Sequence, residues 1–595
     1  MIDRTTRLRW RRWFRRGKRQ VEEVGMEAQE NLDKHLIGRL SRLVGVRRFV
    51  FGWLALASLL ITGLIIQTRG LGQYYLTLQP TPGGIYKEGI VGVFTNANPL
   101  YATGSVNSSV SKLLFSGLLK YDQNNQLTGD LAESWTPDER EITYTIKLRP
   151  NLKWHDGQPL TAQDVLYTYR AIQNPDARSP LITSWQGISV EAPDDQTVIF
   201  RLPSSLSAFP NFLTNGITPK HILENTSMGQ LRSLAFNTTN PVGSGPFKWQ
   251  AIEVTGGESA EREQRIGLTP YSDYHLGKAK LNQFVIHTYP DEKRLIDGLK
   301  SKQVQGIAGL VATPDDILND KTIEQFSVPL TSAVYAFFKN SQEPLSDSNF
   351  RRALVLAANN KALVEALGFP VILSDEPLLK RHVGYDPALA QAGHNLEEAN
   401  RLFDSLGFTK DPTTGIRGKE GKPLNLRLFS QNTVEYTAVT QSLQNQWRAA
   451  GVDVQVILEP EDELQAVIAN HEYDILLYGI SLGNDPDVFA YWHSSQADIR
   501  SANRLNFSEY KSPAADRALE AGRTRSDAAI KAVKYKPFLE AWRAENPALA
   551  LYEPRFLYLV REPLFNFEPA RINVGAERFN NVHNWMIRQK LAPEK

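Results

Sequence analysis

The segment Tyr473–His493 reads YDILLYGISLGNDPDVFAYWH and places Asn484, Asp485, Asp487, Phe489, Tyr491 and Trp492 within nine residues. Two carboxylates beside a proline turn can hold a cation, share acid–base work, or cap the helix that starts near Val488. Asn484 adds a donor and an acceptor, Trp492 a flat apolar face, and Tyr478 an amphipathic ring just upstream. A two-residue offset across a proline does not fix the separation of the carboxylates, so these residues point to binding more than to catalysis.

Other catalytic patterns are missing. The ten histidines show neither an HExxH spacing nor any other paired arrangement. His155-Asp156 reads as a turn ahead of a capped helix. Gly243-Ser244-Gly245 lacks the frame of a nucleophile elbow, and Gly70-Leu71-Gly72 lacks the remainder of a phosphate loop. With no cysteine there is no thiolate nucleophile, disulfide, sulfur-ligated zinc or attachment point for a lipid on sulfur. The expectation is a binding protein with no catalytic residues, no metal ligands and no cofactor.

The elements that must position the loop are legible around it. Ile475, Leu476 and Leu477 form an uncharged strand that ends at the loop. Upstream, Leu424, Leu426 and Leu428 alternate as a strand does. Tyr436, Val439, Leu443, Trp447 and Ala450 then recur at helical spacing, and Gly451 stands where a helix C-terminus favours glycine. Val452, Val454, Val456 and Leu458 alternate again, and Glu461–Asn470 reads as a short helix burying Leu464, Val467 and Ile468. This β-α-β-α-β order predicts an α/β lobe, and in such sheets ligands sit outside the carboxyl ends of the strands. Gly483–Asp487 lies at such an end. Further upstream, Ile142–Leu148 and Val198–Leu202 alternate as strands. Thr161 is a predicted N-cap with Asp164 three residues on, and Leu160 and Val165 have the spacing of a hydrophobic staple.

The chain has 595 residues, too many for one core, so two or three domains are expected. Residues 1–48 carry 14 Lys/Arg against 6 Asp/Glu, whereas the rest carries 53 against 59. A net-acidic body argues against nucleic acid as a partner. Between the two regions, Phe49–Ile66 is uncharged, and the run continues through Gln67 and Thr68. That length matches a hydrocarbon layer about 30 Å thick. Forty-eight residues precede it and no small-residue cleavage site follows, so a retained anchor is expected rather than a signal peptide. Arg39, Arg42, Arg47 and Arg48 put the N-terminus in the cytoplasm and the body outside. The arm, with Trp10, Trp13 and Phe14 among arginines, reads either as a surface-lying segment or as an excess of positive-inside charge.

LAESW at Leu131–Trp135, KWHDGQPLTAQDV at Lys153–Val165, NPVGSGPFKW at Asn240–Trp249 and FRRALVLAANNKALVEALG at Phe350–Gly368 occur in that order, followed by the loop segment. From about Gly83 to about Pro563 the chain resembles the family 5 extracytoplasmic solute-binding proteins of ABC importers, which include dipeptide-, oligopeptide- and nickel-binding proteins. The resemblance implies a two-lobed α/β fold of the periplasmic-binding-protein type (type II), with an extra subdomain in lobe one. Here the transmembrane helix precedes it.

The expected division is a basic arm over 1–48, an anchor over 49–68 and a linker over 69–82. Lobe one would take 83–329 plus 555–595, and lobe two 330–554. The implied function is capture of a peptide between the lobes and delivery to permease and ATPase subunits. A sugar or metal-chelate binder, and an anchored peptide chaperone or sensor without transport, are the alternatives. By the resemblance Thr103, Gly104, Ser105 and Val106 supply lobe one's backbone contacts, and Tyr478, Asn484, Asp485, Asp487 and Trp492 form the other wall. One departure is evident. Peptide-binding relatives carry an aspartate for the peptide ammonium three residues ahead of the acid–proline pair, where this chain has Leu482 or Gly483. The tryptophan usual near the loop start is replaced by Gly479 or Ile480. Asp485 and Asp487 are candidates for an ammonium; otherwise the ligand is not a free-amine peptide.

Overall fold

The computed structural model describes residues 47–257, 261–498, 500–501, 504–561, 563–569 and 571–593. The basic arm, but for the helix start at Arg47, lies outside them. Two compact units make up the chain, one of residues 1–79 with 589–595 and one of residues 80–588.

In the first unit, among the described residues, a helix runs Arg47–Tyr75. Its stretch Phe49–Thr68 is long and apolar enough to cross a membrane, and none of that stretch is buried by protein. The strand Leu76–Thr81 follows directly and pairs with Arg588–Pro593. This corrects the expected linker over 69–82. No proline interrupts the helix before Pro80, and the next residues gain a partner strand from the far end of the chain. It also moves the chain's last residues out of the expected lobe one.

The second unit is two-lobed, each lobe built on its own sheet. One sheet has seven strands in the order 324–329, 555–560, 306–308, 85–91, 283–289, 263–270 and 247–255. Ile85–Val91 runs parallel to Gln283–Tyr289 and to Gly306–Ala308, while the flanking pairs are antiparallel. The other has six strands in the order 372–373, 548–553, 332–338, 475–481, 425–431 and 453–459. The chain passes from one sheet to the other between Pro329 and Ser332 and returns between Glu553 and Arg555. A separate four-stranded antiparallel sheet, 132–137, 143–148, 197–201 and 189–194, accompanies the seven-stranded one.

Each element has a local cause. Asn425–Gln431 pairs in parallel with both Asp453–Glu459 and Ile475–Ser481. Parallel neighbours demand crossovers, and the helices Val434–Ala449 and Glu461–Asn470 provide them. The first turns Val439, Leu443 and Trp447 into the core, and Gly451 follows at φ +89°, a conformation that favours glycine. Ser332–Phe338 is apolar almost throughout because both faces are covered. Val334, Ala336 and Phe338 pack into one core, and Ala333, Tyr335 and Phe337 into the core on the other face. Against the four-stranded sheet the helix Ala162–Gln173 begins with a capping box. Thr161 accepts from Gln163 N, and Asp164 Oδ2 accepts from Thr161 N at 2.8 Å. Leu160 and Val165 are both buried beside it.

Candidate functional site

The strand Ile475–Ser481 delivers the loop to the place where the chain crosses between sheets. Leu482 N and Gly483 N both donate to Thr331 O, at 2.8 and 3.2 Å. Thr331 N donates to Ile572 O at 3.1 Å, and Thr331 Oγ1 donates to Asn573 Oδ1 at 2.7 Å. Gly483 has φ +67°, and its carbonyl accepts from His382 Nε2 at 2.9 Å. Since Leu379 N donates to His382 Nδ1, this imidazole is neutral, and burial pushes its pKa down to about 4. The loop is therefore fixed at its base by backbone groups from the crossing segments.

Each aspartate carries its own cation. Asp485 Oδ1 lies 2.5 Å from Lys531 Nζ, and Asp487 Oδ2 lies 2.9 Å from an Arg523 terminal nitrogen. Both cations come from a helix hairpin, Pro513–Arg523 and Ala528–Glu545. The Lys531 side chain is only 4% exposed, too little for a freely hydrated ammonium. The Arg523 guanidinium also covers the Phe489 ring, 4.1 Å from its centroid. Burial raises the Asp487 pKa, opposed by Arg523. As a helix cap Asp487 is poor: its contact with Phe489 N is 3.4 Å long, and the helix after it has only four residues.

Lobe one meets this loop through residues that sequence patterns did not single out. Lys531 Nζ also donates to Ser207 Oγ at 2.8 Å. Ser207 N donates to Arg523 O at 3.0 Å, Ser205 Oγ to Thr524 O at 3.3 Å, and Ser526 bonds Glu141. The lobes are thus joined by hydrogen bonds well away from the crossing strands. Burial pushes the Tyr144 phenol up to about 12, and Glu141, Asp138 and the facing Asp485 add to the shift. Tyr121, whose phenol is also raised, donates to Asn211 Oδ1 at 2.9 Å. Two cavities open beside these groups in lobe one. One of about 340 Å³ is lined by Lys120, Tyr121, Arg571, Glu577 and His583 among others. One of about 300 Å³ has Lys112, Trp185, Asn211 and Glu577 in its walls. Glu577 lines both. Burial raises its pKa, and its carboxylate accepts from Asn573 N at 2.7 Å.

The other sequence-predicted residues fall as follows. Tyr478 is half-buried against Phe507, and Gln465 donates to its hydroxyl. Asn484 is half-buried, with no side-chain hydrogen bond among the described residues. Trp492 requires correction as a cleft wall. It is fully buried, packed on Phe337, Tyr335 and Trp542 in the core beneath the loop. Thr103, Gly104 and Ser105 are exposed, while Val106 is buried. Gly104, at φ +74°, starts the helix Ser105–Leu114, so this segment is a helix entrance. Among the described residues no hydrogen bond or ion pair joins Thr103–Val106 to the loop. Gly479 has a steric cause: the Tyr436 hydroxyl sits where a Cβ would project, 2.7 Å from it. Among the described residues no group of three or more His, Asp or Glu is placed to hold a metal ion.

Residues 126–501 match the model for the bacterial extracellular solute-binding proteins, family 5 (middle). The chain is 26% identical over 524 residues to the oligopeptide-binding protein AppA of Bacillus subtilis, covering 86% of this chain and 92% of that one. Among solved structures, NikZ from Campylobacter jejuni in complex with Ni(L-His) superposes with a TM-score of 0.73 at 25% identity, covering 84% of this chain and 99% of NikZ. AppA from Bacillus subtilis in complex with a nonapeptide superposes at 0.70 and 24% identity, covering 86% of this chain and all of that one.

Proposed function

Because the chain belongs to the family 5 bacterial extracellular solute-binding proteins, which bind their solutes rather than transform them, we propose that it captures a peptide-like solute between its two lobes and hands it to an ABC importer. The observation that carries this reading is the loop Gly483–Asp487. It stands at the carboxyl end of a strand, is tied to the crossing segments, and faces lobe one through Lys531 and Ser207. A cleft that closes on a solute can satisfy its polar backbone groups as water leaves, and the closed shape differs from the open one for a permease to read. We take 83–329 with 555–588 as lobe one and 330–554 as lobe two, a division supported by the change of sheet at each boundary. The solute would lie between Thr103–Ser105 on one side and Tyr478 and Asn484–Asp487 on the other. In this reading Phe49–Thr68 anchors the protein, with the body outside the cytoplasm and the basic arm inside; the length and apolar character of the helix support it.

A non-peptide solute is the second reading. It is favoured by the ion-paired state of both aspartates, which leaves neither as a vacant ammonium acceptor. NikZ, similar in fold, was solved with a metal chelate. Thermal-shift measurements with peptide pools, glycans and Ni(L-His) separate the two. Stabilisation by peptides alone supports the first, and stabilisation only by glycans or the chelate replaces it.

A further inference from the structure

The hairpin that carries Arg523 and Lys531 packs into the core of the six-stranded lobe through Leu519, Tyr535, Phe538 and Trp542. Its cations are therefore held in place by their own helices. Lys531 is the more constrained. Its ammonium has three donors, and two are used, on Asp485 and on Ser207 of the facing lobe. Its ammonium also lies over the Tyr535 ring, 5.9 Å from the centroid.

The presence of Lys531 changes what Asp485 can do. A solute ammonium approaching Asp485 must displace an ammonium already bonded to it. That exchange replaces one charge-assisted hydrogen bond by another of the same kind. The incumbent is tethered, so it competes at an effective concentration in the millimolar range or above, which a scarce solute does not match. Displacement also leaves the Lys531 charge without its carboxylate in a nearly water-free position. Asp487 offers no second opening, because Arg523 holds it at 2.9 Å while stacked on Phe489.

We infer that Lys531 is a specificity-determining residue: it fills the cation position of Asp485, so the cleft accepts solutes that bring no free ammonium to that end. Peptides blocked at the amino terminus fit first, followed by other solutes neutral or anionic there. The assignment rests on the reading that Gly483–Asp487 faces the solute.

The experiment has two arms, both on the full chain. In the first, Lys531→Ala and Lys531→Met are melted with and without propylammonium chloride at tens of millimolar, with propanol and sodium chloride as controls. Lys531→Ala should melt below the parent and recover with propylammonium. The parent and the double variant Asp485→Asn/Lys531→Ala should show no amine-dependent rise. In the second arm a random hexapeptide pool and its N-acetylated counterpart are offered to the parent and to Lys531→Met, and retained peptides are weighed by mass spectrometry. The parent should retain acetylated peptides at least as well as free-amine ones, and Lys531→Met should move the ratio toward free amines about tenfold. The inference is overturned if propylammonium stabilises Lys531→Ala no more than the parent, or if the parent prefers free amines tenfold or more. Amine rescue with retention of neither pool removes the peptide reading and leaves the role of Lys531 standing.

Discussion

Removing the Ser207 hydroxyl should loosen the grip of one lobe on the other without touching either fold. Ser207 belongs to lobe one, and its Oγ accepts from Lys531 Nζ of lobe two at 2.8 Å. A hydrogen bond to a charged group contributes about 1.5–3 kcal/mol. In the open state, however, the ammonium keeps Asp485 and regains water, so the net loss falls at or just below the low end of that range. Ser207→Ala should therefore disfavour closure by about 1–1.5 kcal/mol, roughly five- to tenfold in the open-to-closed ratio. Opening should stay partial, because Ser207 N still donates to Arg523 O at 3.0 Å and Ser205 still reaches Thr524 O. The assay is single-molecule energy transfer between one dye on each lobe, without solute. A solute that binds only the closed form should weaken once closure is disfavoured, up to the same factor where the open form prevails. A distribution unchanged within twofold, with melting temperature also unchanged, would show that the bond is not a closure contact and refute the reasoning.

Glu376 is buried with Oε1 unpartnered, and burial pushes its carboxyl up to about 8, with the Asp375 and Asp386 carboxylates adding to the shift. Between its unfolded value near 4.5 and about 8 the folded form holds a proton that the unfolded chain lacks, so this site's contribution falls as pH rises through that window. Glu376→Gln stays neutral, and its melting temperature relative to the parent should climb from pH 5 to pH 8; parallel curves would contradict the assignment. Arg417, fully buried, donates to Ala450 O, Phe408 O and Asn400 Oδ1 and pairs with Asp404. Arg417→Met strands these acceptors and should lower unfolding stability by about 3 kcal/mol or more, read as a lower denaturant midpoint at constant slope. Protease added to intact cells or spheroplasts should remove the body and leave a protected fragment containing Phe49–Thr68, whereas a released form beginning near residue 70 would count against the anchor.

Local chemistry made much of the architecture legible. Period-two and period-3.6 apolar patterns between Leu424 and Ser481 placed three strands and two helices. Thr161 with Asp164 announced a helix start, and Gly451 a helix end. These features depend on neighbours within about four residues, which sequence displays directly. The uncharged run at Phe49–Thr68 is visible for the same reason. The ordered motifs carried the two-lobed fold and its family. Sequence also located the loop Gly483–Asp487 as a candidate binding feature.

Tertiary structure decided what the loop's carboxylates are bonded to. Lys531 lies 46 residues from Asp485 in the chain and 324 from Ser207, and nothing local selects it from the other cations of the body. Trp492 illustrates a second limit. Its helix has four residues, too few for a periodicity to separate a core face from a cleft face, and only packing on Phe337 and Trp542 shows that it is core. The strand Leu76–Thr81 shows a third, since its partner, Arg588–Pro593, lies at the opposite end of the chain. A strand's register and a carboxylate's partner are both long-range choices. They are settled by closing large loops and burying polar groups in pairs, and that free energy exists only once the whole chain has folded.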